Sequence, residues 1–277
     1  MNVLVPFVVA VPFICAAIVV VGDHWLKNQL PDLLAIATAA TTMALAVIVL
    51  VHAIDTPLVY WFGGWEPKHG IALGVSFTVD AIGAGLATLV ATLVLAAVVF
   101  SWRYFEEAAS IYYGLLLLFL SGMCGFVLSG DIFNMFVFFE LMSTAALALT
   151  GYAVKSEASI QGAFNFGVMN GTGAIFVLFG IALLYGTTGA LNLAQIVRSV
   201  DGRRPTTLLV VAFSLLATGF LIKAAAVPFH FWLADAYAVA PAPVCALLAG
   251  VMSDLGVYAI ARIFWTIFAG PFAAHAE

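Results

Sequence analysis

Five ionisable side chains fall inside long apolar runs of this sequence: Asp80, Glu140, Lys223, Asp254 and Arg262. At the bilayer centre a charge costs at least about 2.5–3.5 kcal/mol on insertion scales, so a residue of this type inside a lipid-length run is a functional candidate by default. Glu140 lies in "SGDIFNMFVFFELMS" (129–143), and Lys223 in "GFLIKAAAVPFHFWLADAYAVAPAP" (219–243). The chemistry open to them is proton transfer. In low-dielectric surroundings a carboxylate near a lysine governs whether the lysine keeps its proton, so the two act together as a switch. Glu140 can equally serve as a static ion-pair partner, and its own surroundings in the sequence leave both readings open.

The stretch after Lys223 carries a backbone signal. Pro228 has no N–H and its ring clashes with the carbonyl four residues back, at Ala224, so the helix breaks or kinks beside the lysine. Broken membrane helices occur where the freed backbone groups face protein or a water-filled cavity, which are common ion sites; the plainer alternative is a packing kink. His230, two residues past the proline, is of the residue type whose unperturbed imidazole exchanges protons near neutral pH, and it suits either a relay or an interfacial position. Asp80 sits near the start of its run. Arg262, eight residues after Asp254, lies roughly on the same helical face and either pairs with an acid or snorkels.

The elements that must hold these groups are membrane helices. Hydrophobic residues make up 65% of the 277 and charged residues 8%, against roughly 25% charged in a soluble domain. Runs of lipid-spanning length occur at 3–22, 31–54, 77–102, 110–128, 131–153, 160–186, 206–227 and 241–268. They are too long and too continuous for barrel strands, so they are read as eight helices. The start lacks a basic n-region and a clear cleavage site, and the first helix is expected to be retained. Cys15, Cys124 and Cys245 lie in apolar spans without metal or disulfide spacing and read as small core residues. Residues 52–77, with Tyr60, Trp61, Gly63, Gly64 and Trp65, suit an interfacial strand or hairpin. Residues 186–207 hold a short amphipathic helix (Leu191, Leu193, Ile196, Val197) and a basic cluster, expected on the membrane surface. Gly167 and Gly171 have the spacing of a close helix contact, and Asn165 and Asn170 are candidates for bonds across helices. Loop cations divide three (Lys27, Arg103, Lys155) against four (Lys68, Arg198, Arg203, Arg204), which leaves orientation open. A net charge of −5 argues against nucleic acid as a partner. No Cys cluster, phosphate loop or dinucleotide fingerprint is present, so no cofactor or metal of its own is expected.

"GDIFNMFVFFELMS", "LLYGTTGALNLA", "IKAAAVPFHFWLADAYAVAPAPVCALLAGVM" and "LGVYAIAR" resemble the antiporter-like subunits shared by Mrp-type cation/proton antiporters, respiratory complex I and membrane-bound hydrogenases, and the wording is most similar to the Mrp D-type subunit. The likeness runs from about Asp80 to Arg262. It implies an all-α membrane fold of about eight helices here, with helices four to eight forming one five-helix repeat and the seventh broken. It also implies that Glu140 pairs with Lys223 to gate protons, that His230 continues the route, and that Asp235 takes the acidic place in the pattern after the break.

Two departures stand out. Relatives carry a lysine or histidine in the eighth helix, where "SDLGVY" places Asp254; that carboxylate reads either as a titrating relay or as a static bridge to Arg262 or Lys223. Relatives also have about fourteen helices in two inverted repeats, so the chain is expected to be a fragment, a truncated product or half of a split subunit, and the second repeat's lysine has no counterpart in it. The expected organisation is three helices with an interfacial loop at 55–76 (1–109), a five-helix repeat (110–268) and a tail (269–277). The expected function is proton or cation/proton translocation within a multi-subunit Mrp-type antiporter of the cell's inner membrane, moving H⁺ and, as one option, Na⁺, with other membrane subunits as partners and no catalytic chemistry of its own. The alternatives are a pumping subunit of a hydrogenase or NADH:quinone oxidoreductase complex and a non-conducting scaffold.

Overall fold

A computed structural model of the chain describes residues 2–25, 29–68, 71–102, 109–153, 156–201 and 205–273. Hydrocarbon offers backbone N–H and C=O groups no water, so the apolar runs close their hydrogen bonds internally as helices. These are α1 (Val5–Val21), α2 (Leu30–Asp55), α3 (Ala81–Phe100), α4 (Ala109–Leu128), α5 (Ile132–Thr150) and α6 (Glu157–Thr188). Surface helix α7 (Leu193–Val200) then leads into α8 (Thr207–Lys223), α9 (Phe231–Val239) and a last rod, Ala242–Phe272. That rod consists of α10 (Ala242–Leu247), α11 (Ser253–Ile263) and α12 (Ala269–Ala273), joined through π-helical turns at Leu248–Met252 and Phe264–Phe268. Among the described residues seven helices are long and apolar enough to cross a membrane, and α8 is a shorter apolar helix.

Two expected spans change at their ends. The third does not begin at 77: β2 (Ser76–Val79) pairs antiparallel with β1 (Leu58–Trp61), Leu58 opposite Val79. The helix starts only after Asp80, whose Oδ1 accepts from Gly83 N at 2.8 Å and caps it. Period-two alternation across Ser76–Val79 is a strand pattern that a hydrophobic count cannot separate from helix. The seventh span ends at Lys223, four residues before the expected limit. Ala225 has φ 50°, the Val227–Pro228 peptide is cis, and the helix resumes as α9.

α4 is the innermost helix, buried along nearly its whole length against α1, α2, α3 and α5. α6 and α8 form a second tight pair, and glycine sets their spacing. A Cβ on Gly219 would lie 2.5 Å from Gly173 O, and one on Gly180 would lie 3.0 Å from Ala212 O. The close approach is therefore at Gly173 and Gly219. At Gly167 a Cβ would lie 3.3 Å from Leu147 Cδ1, a tight approach to α5, whereas at Gly171 it would meet nothing within 4 Å, so of the two expected small-residue positions only Gly167 packs closely.

At one end of the bundle the hairpin, the α4–α5 turn and the start of α7 are knitted together. Gly130 N donates to Ser76 O (2.9 Å), Leu193 N to Gly130 O (3.1 Å) and Ile132 N to Leu191 O (2.9 Å). Asp131 caps α5 by accepting from Phe133 N and Asn134 N, both at 2.9 Å. Asn192 caps α7 and donates from Nδ2 to Ser76 Oγ at 3.1 Å. The "GDIFN" and "ALNLA" wording is thus a folding device. It fixes where α5 begins, and so the depth of Glu140, nine residues or about 13.5 Å further along. α7 is amphipathic as expected, with Leu193, Ile196 and Val200 buried and Arg198 exposed; the basic residues Arg203 and Arg204 lie outside the described residues, as do Lys27, Arg103 and Lys155.

Candidate functional site

Lys223 is the last residue of α8, and its side chain is 0% exposed. Nζ donates to Ser143 Oγ on α5 at 2.7 Å and to Asn170 Oδ1 on α6 at 3.3 Å. The ring of Phe139 lies 4.9 Å from Nζ, within cation–π range. A buried charge needs compensation by pairing or hydrogen bonds, and here the direct contacts come from neutral groups.

Glu140 is half-buried near the middle of α5. Its charge acts on Lys223 through space, but among the described residues no carboxylate touches the ammonium. The lysine bonds instead to Ser143, one helical turn beyond Glu140. Pairing of the two as implied by resemblance is thus electrostatic proximity here, with a hydroxyl taking the hydrogen bond.

The break beyond Lys223 is closed by specific groups. Ala224 N donates to Phe220 O (2.8 Å), Ala225 N to Ile222 O (3.1 Å) and Ala226 N to Leu221 O (3.0 Å). Trp232, fully buried, donates Nε1–H to Ile222 O at 3.1 Å and meets Phe166 edge-on at 5.0 Å. The indole therefore locks α9 against the end of α8 and supports the backbone that carries the lysine.

The other candidates lie apart from this centre. His230 is exposed at the start of α9. Asp235 is exposed and accepts from Asn165 Nδ2 at 2.8 Å, a bond between α9 and α6. Asp254 is exposed on α11, next to the first π turn. Neither static bridge considered for it forms. Arg262 pairs with Asp80 and also donates to Thr78 O at 3.4 Å, while Lys223 is held by Ser143 and Asn170. The Asp80–Arg262 pair ties the last rod to the hairpin end of α3. Tyr258 adds to this tie by donating to Val127 O at 3.0 Å.

Sequence reasoning missed Ser143 and Phe139, and it treated Asn170 only as a candidate helix bond. A signal was present: an amide and a hydroxyl in the middle of lipid-length runs, the hydroxyl one turn from the glutamate.

The family profile described as NADH:quinone oxidoreductase/Mrp antiporter, TM, matches residues 129–276. NADH-quinone oxidoreductase subunit N of Desulforudis audaxviator is 35% identical over 245 residues, covering 85% of this chain and 48% of the relative. The D-type subunit of the Na(+)/H(+) antiporter of Bacillus subtilis is 29% identical over 276 residues, 97% of this chain and 54% of the relative. Among solved structures, a chain of the membrane-bound sulfane sulfur reductase, an archaeal respiratory membrane complex, superposes with TM-score 0.90 at 28% identity, covering 99% of this chain and 55% of that one. A chain of the Mrp complex from Dietzia sp. DQ12-45-1b gives 0.84 at 30% identity, with 97% and 49% covered. The chain spans about half the length of the curated relatives it matches.

Proposed function

The chain belongs to the NADH:quinone oxidoreductase/Mrp antiporter membrane family, and from that premise we propose that it moves protons within a multi-subunit, Mrp-type cation/proton antiporter of the cell's plasma membrane. The observation that carries this reading is Lys223: a fully buried lysine at the end of a broken helix, with the charge of Glu140 in reach and, among the described residues, no carboxylate in contact. In a fixed structural ion pair the two charges would be in direct contact. Here the lysine can gain or lose its proton, and Glu140 can respond to the change because nothing else among the described residues binds its carboxylate.

D-type antiporter relatives at 29–30% identity and the Mrp complex likeness support the antiporter. A second reading, a pumping subunit of a respiratory membrane complex, draws on the 35% identity to an NADH-quinone oxidoreductase relative and the TM-score of 0.90 to the sulfur reductase. Copurification separates them: redox subunits with iron–sulfur clusters in the isolated complex support the second.

Glu140→Gln tests the switch. It keeps the side chain's size and removes its charge, so proton movement driven by a cation gradient in membrane vesicles is expected to fall to a small fraction of wild type while the complex still assembles. Unchanged transport by this variant would sink the role given to Glu140.

Asp254 is proposed as a titrating step facing whatever covers α11 in the complex. Asp254→Asn keeps the shape of a protonated acid and removes titration. The expected result is normal assembly with transport reduced or displaced in pH; wild-type transport from pH 6 to 9 would make the residue passive.

A further inference from the structure

We propose that Ser143 and Asn170, with the ring of Phe139, form a neutral acceptor cage that sets how firmly Lys223 holds its proton, and so the pH range over which the chain moves protons. This rests on the reading of Lys223 as the proton carrier.

Both polar groups are oriented by their own helices. The Ser143 hydroxyl donates to Phe139 O at 2.7 Å, so its proton is committed and its lone pairs face Lys223. Asn170 donates Nδ2–H to Phe166 O at 3.1 Å, which fixes the amide so that Oδ1 points at the lysine. Each bond runs to the carbonyl four residues back, a local tether that a mobile neighbour does not disturb. Ser143 is 8% exposed and Asn170 3%, so water does not compete freely for either. The Phe139 ring presents its negative face to the same ammonium. All three groups favour the charged lysine, and none can take its proton away as a carboxylate would.

The charged and titratable groups on neighbouring elements are otherwise engaged or turned away. From α5, Glu140 acts on Lys223 without touching it. On α4, the Cys124 thiol faces Ala87 O on α3. On α6, Glu157 lies at the far N-terminal end and Tyr185 is exposed near the other end. On α9, His230 is exposed, Asp235 is bound to Asn165, and Tyr237 is half-buried beside Ser253. On α11, Asp254 is exposed, Tyr258 is bonded to Val127 O, and Arg262 is paired with Asp80. The cage is therefore the part of the surroundings that touches the ammonium, and Glu140 acts on it at longer range.

The depth of the cage comes from the glycine contact. Asn170 precedes Gly173 by three residues and Lys223 follows Gly219 by four, so the closest approach of α6 and α8 sits one turn from the lysine–amide bond.

The test is the pH profile of proton movement in vesicles carrying the full complex. Asn170→Leu keeps the volume and removes the acceptor, so the lysine releases its proton at lower pH. The alkaline limb of the profile is expected to move down by about one pH unit, the size of a hydrogen bond to a charged group. Ser143→Ala should move it the same way, and Ser143→Thr should restore it by returning the hydroxyl. Asn170→Asp, which adds a carboxylate, should move the limb up. A packing role gives reduced assembly without opposed shifts. If Asn170→Leu fails to assemble, the Ser143 pair decides the matter alone. An unmoved profile in assembled Ser143→Ala overturns the cage, even when Lys223→Ala is inactive. Wild-type transport by Lys223→Ala instead overturns the carrier reading itself.

Discussion

Replacing Lys223 by alanine is expected to abolish proton movement through this chain while leaving it in the membrane. The ammonium is the buried cation at the break in α8, and without it Glu140 loses the charge that acts on it among the described residues. Alanine also opens a cavity and strands two acceptors, Ser143 Oγ and Asn170 Oδ1, so part of any loss could arise from packing. Lys223→Met separates the effects because it fills the space without a charge. Both variants should be inactive in vesicles and Met should assemble the better. Buried charges are costly, and their removal in favour of an apolar side chain of similar volume is often neutral for stability. Normal transport by Lys223→Met would end the proposal that this residue carries protons.

The second large effect is expected from Gly219→Leu. A Cβ there would lie 2.5 Å both from Gly173 O and from Val177 Cγ2, and the carbonyl cannot rotate out of its helix. Overpacking a close contact costs about 1–3 kcal/mol, occasionally more, and with backbone on the receiving side the upper end is expected. α6 and α8 must then separate, drawing Asn170 away from Lys223, so the variant should lose both thermal stability and transport. Gly171→Ala is the control, since its Cβ would meet nothing within 4 Å. Equal melting temperatures for the two solubilised variants would show that the seam is not where the backbones meet most closely.

The main ionisable residues were legible in the sequence because insertion cost singles them out without any knowledge of fold. Glu140 and Lys223 stood out on that ground, and Pro228 marked the break. The end of α8 was misplaced because "KAAAVPF" remains apolar while its backbone turns, and hydrophobicity is blind to φ. Ser76–Val79 was absorbed into a span for a similar reason: four residues of alternating pattern beside a long apolar run carry too little signal to separate strand from helix. Which residues surround Lys223 was not legible. That depends on which faces of α5, α6 and α8 meet, and the α6–α8 facing is set by Gly173 and Gly219, one on each helix, whereas the four-residue spacing of Gly167 and Gly171 lies wholly within α6. Nor could the sequence choose Asp80 for Arg262, because any acid at the right depth would satisfy the arginine equally well.

The Asp80–Arg262 pair joins residues 182 positions apart, and that separation is also an interval of time. At a synthesis rate of about 5–20 residues per second, Asp80 is made roughly 10–40 s before Arg262 exists. During that interval the arginine is absent, and the Gly83 N–H, three residues away, is available to the carboxylate as soon as the first turn of α3 forms. The cap can therefore form before the arginine is made, and the later ion pair latches the last rod to a helix start already closed by local bonds.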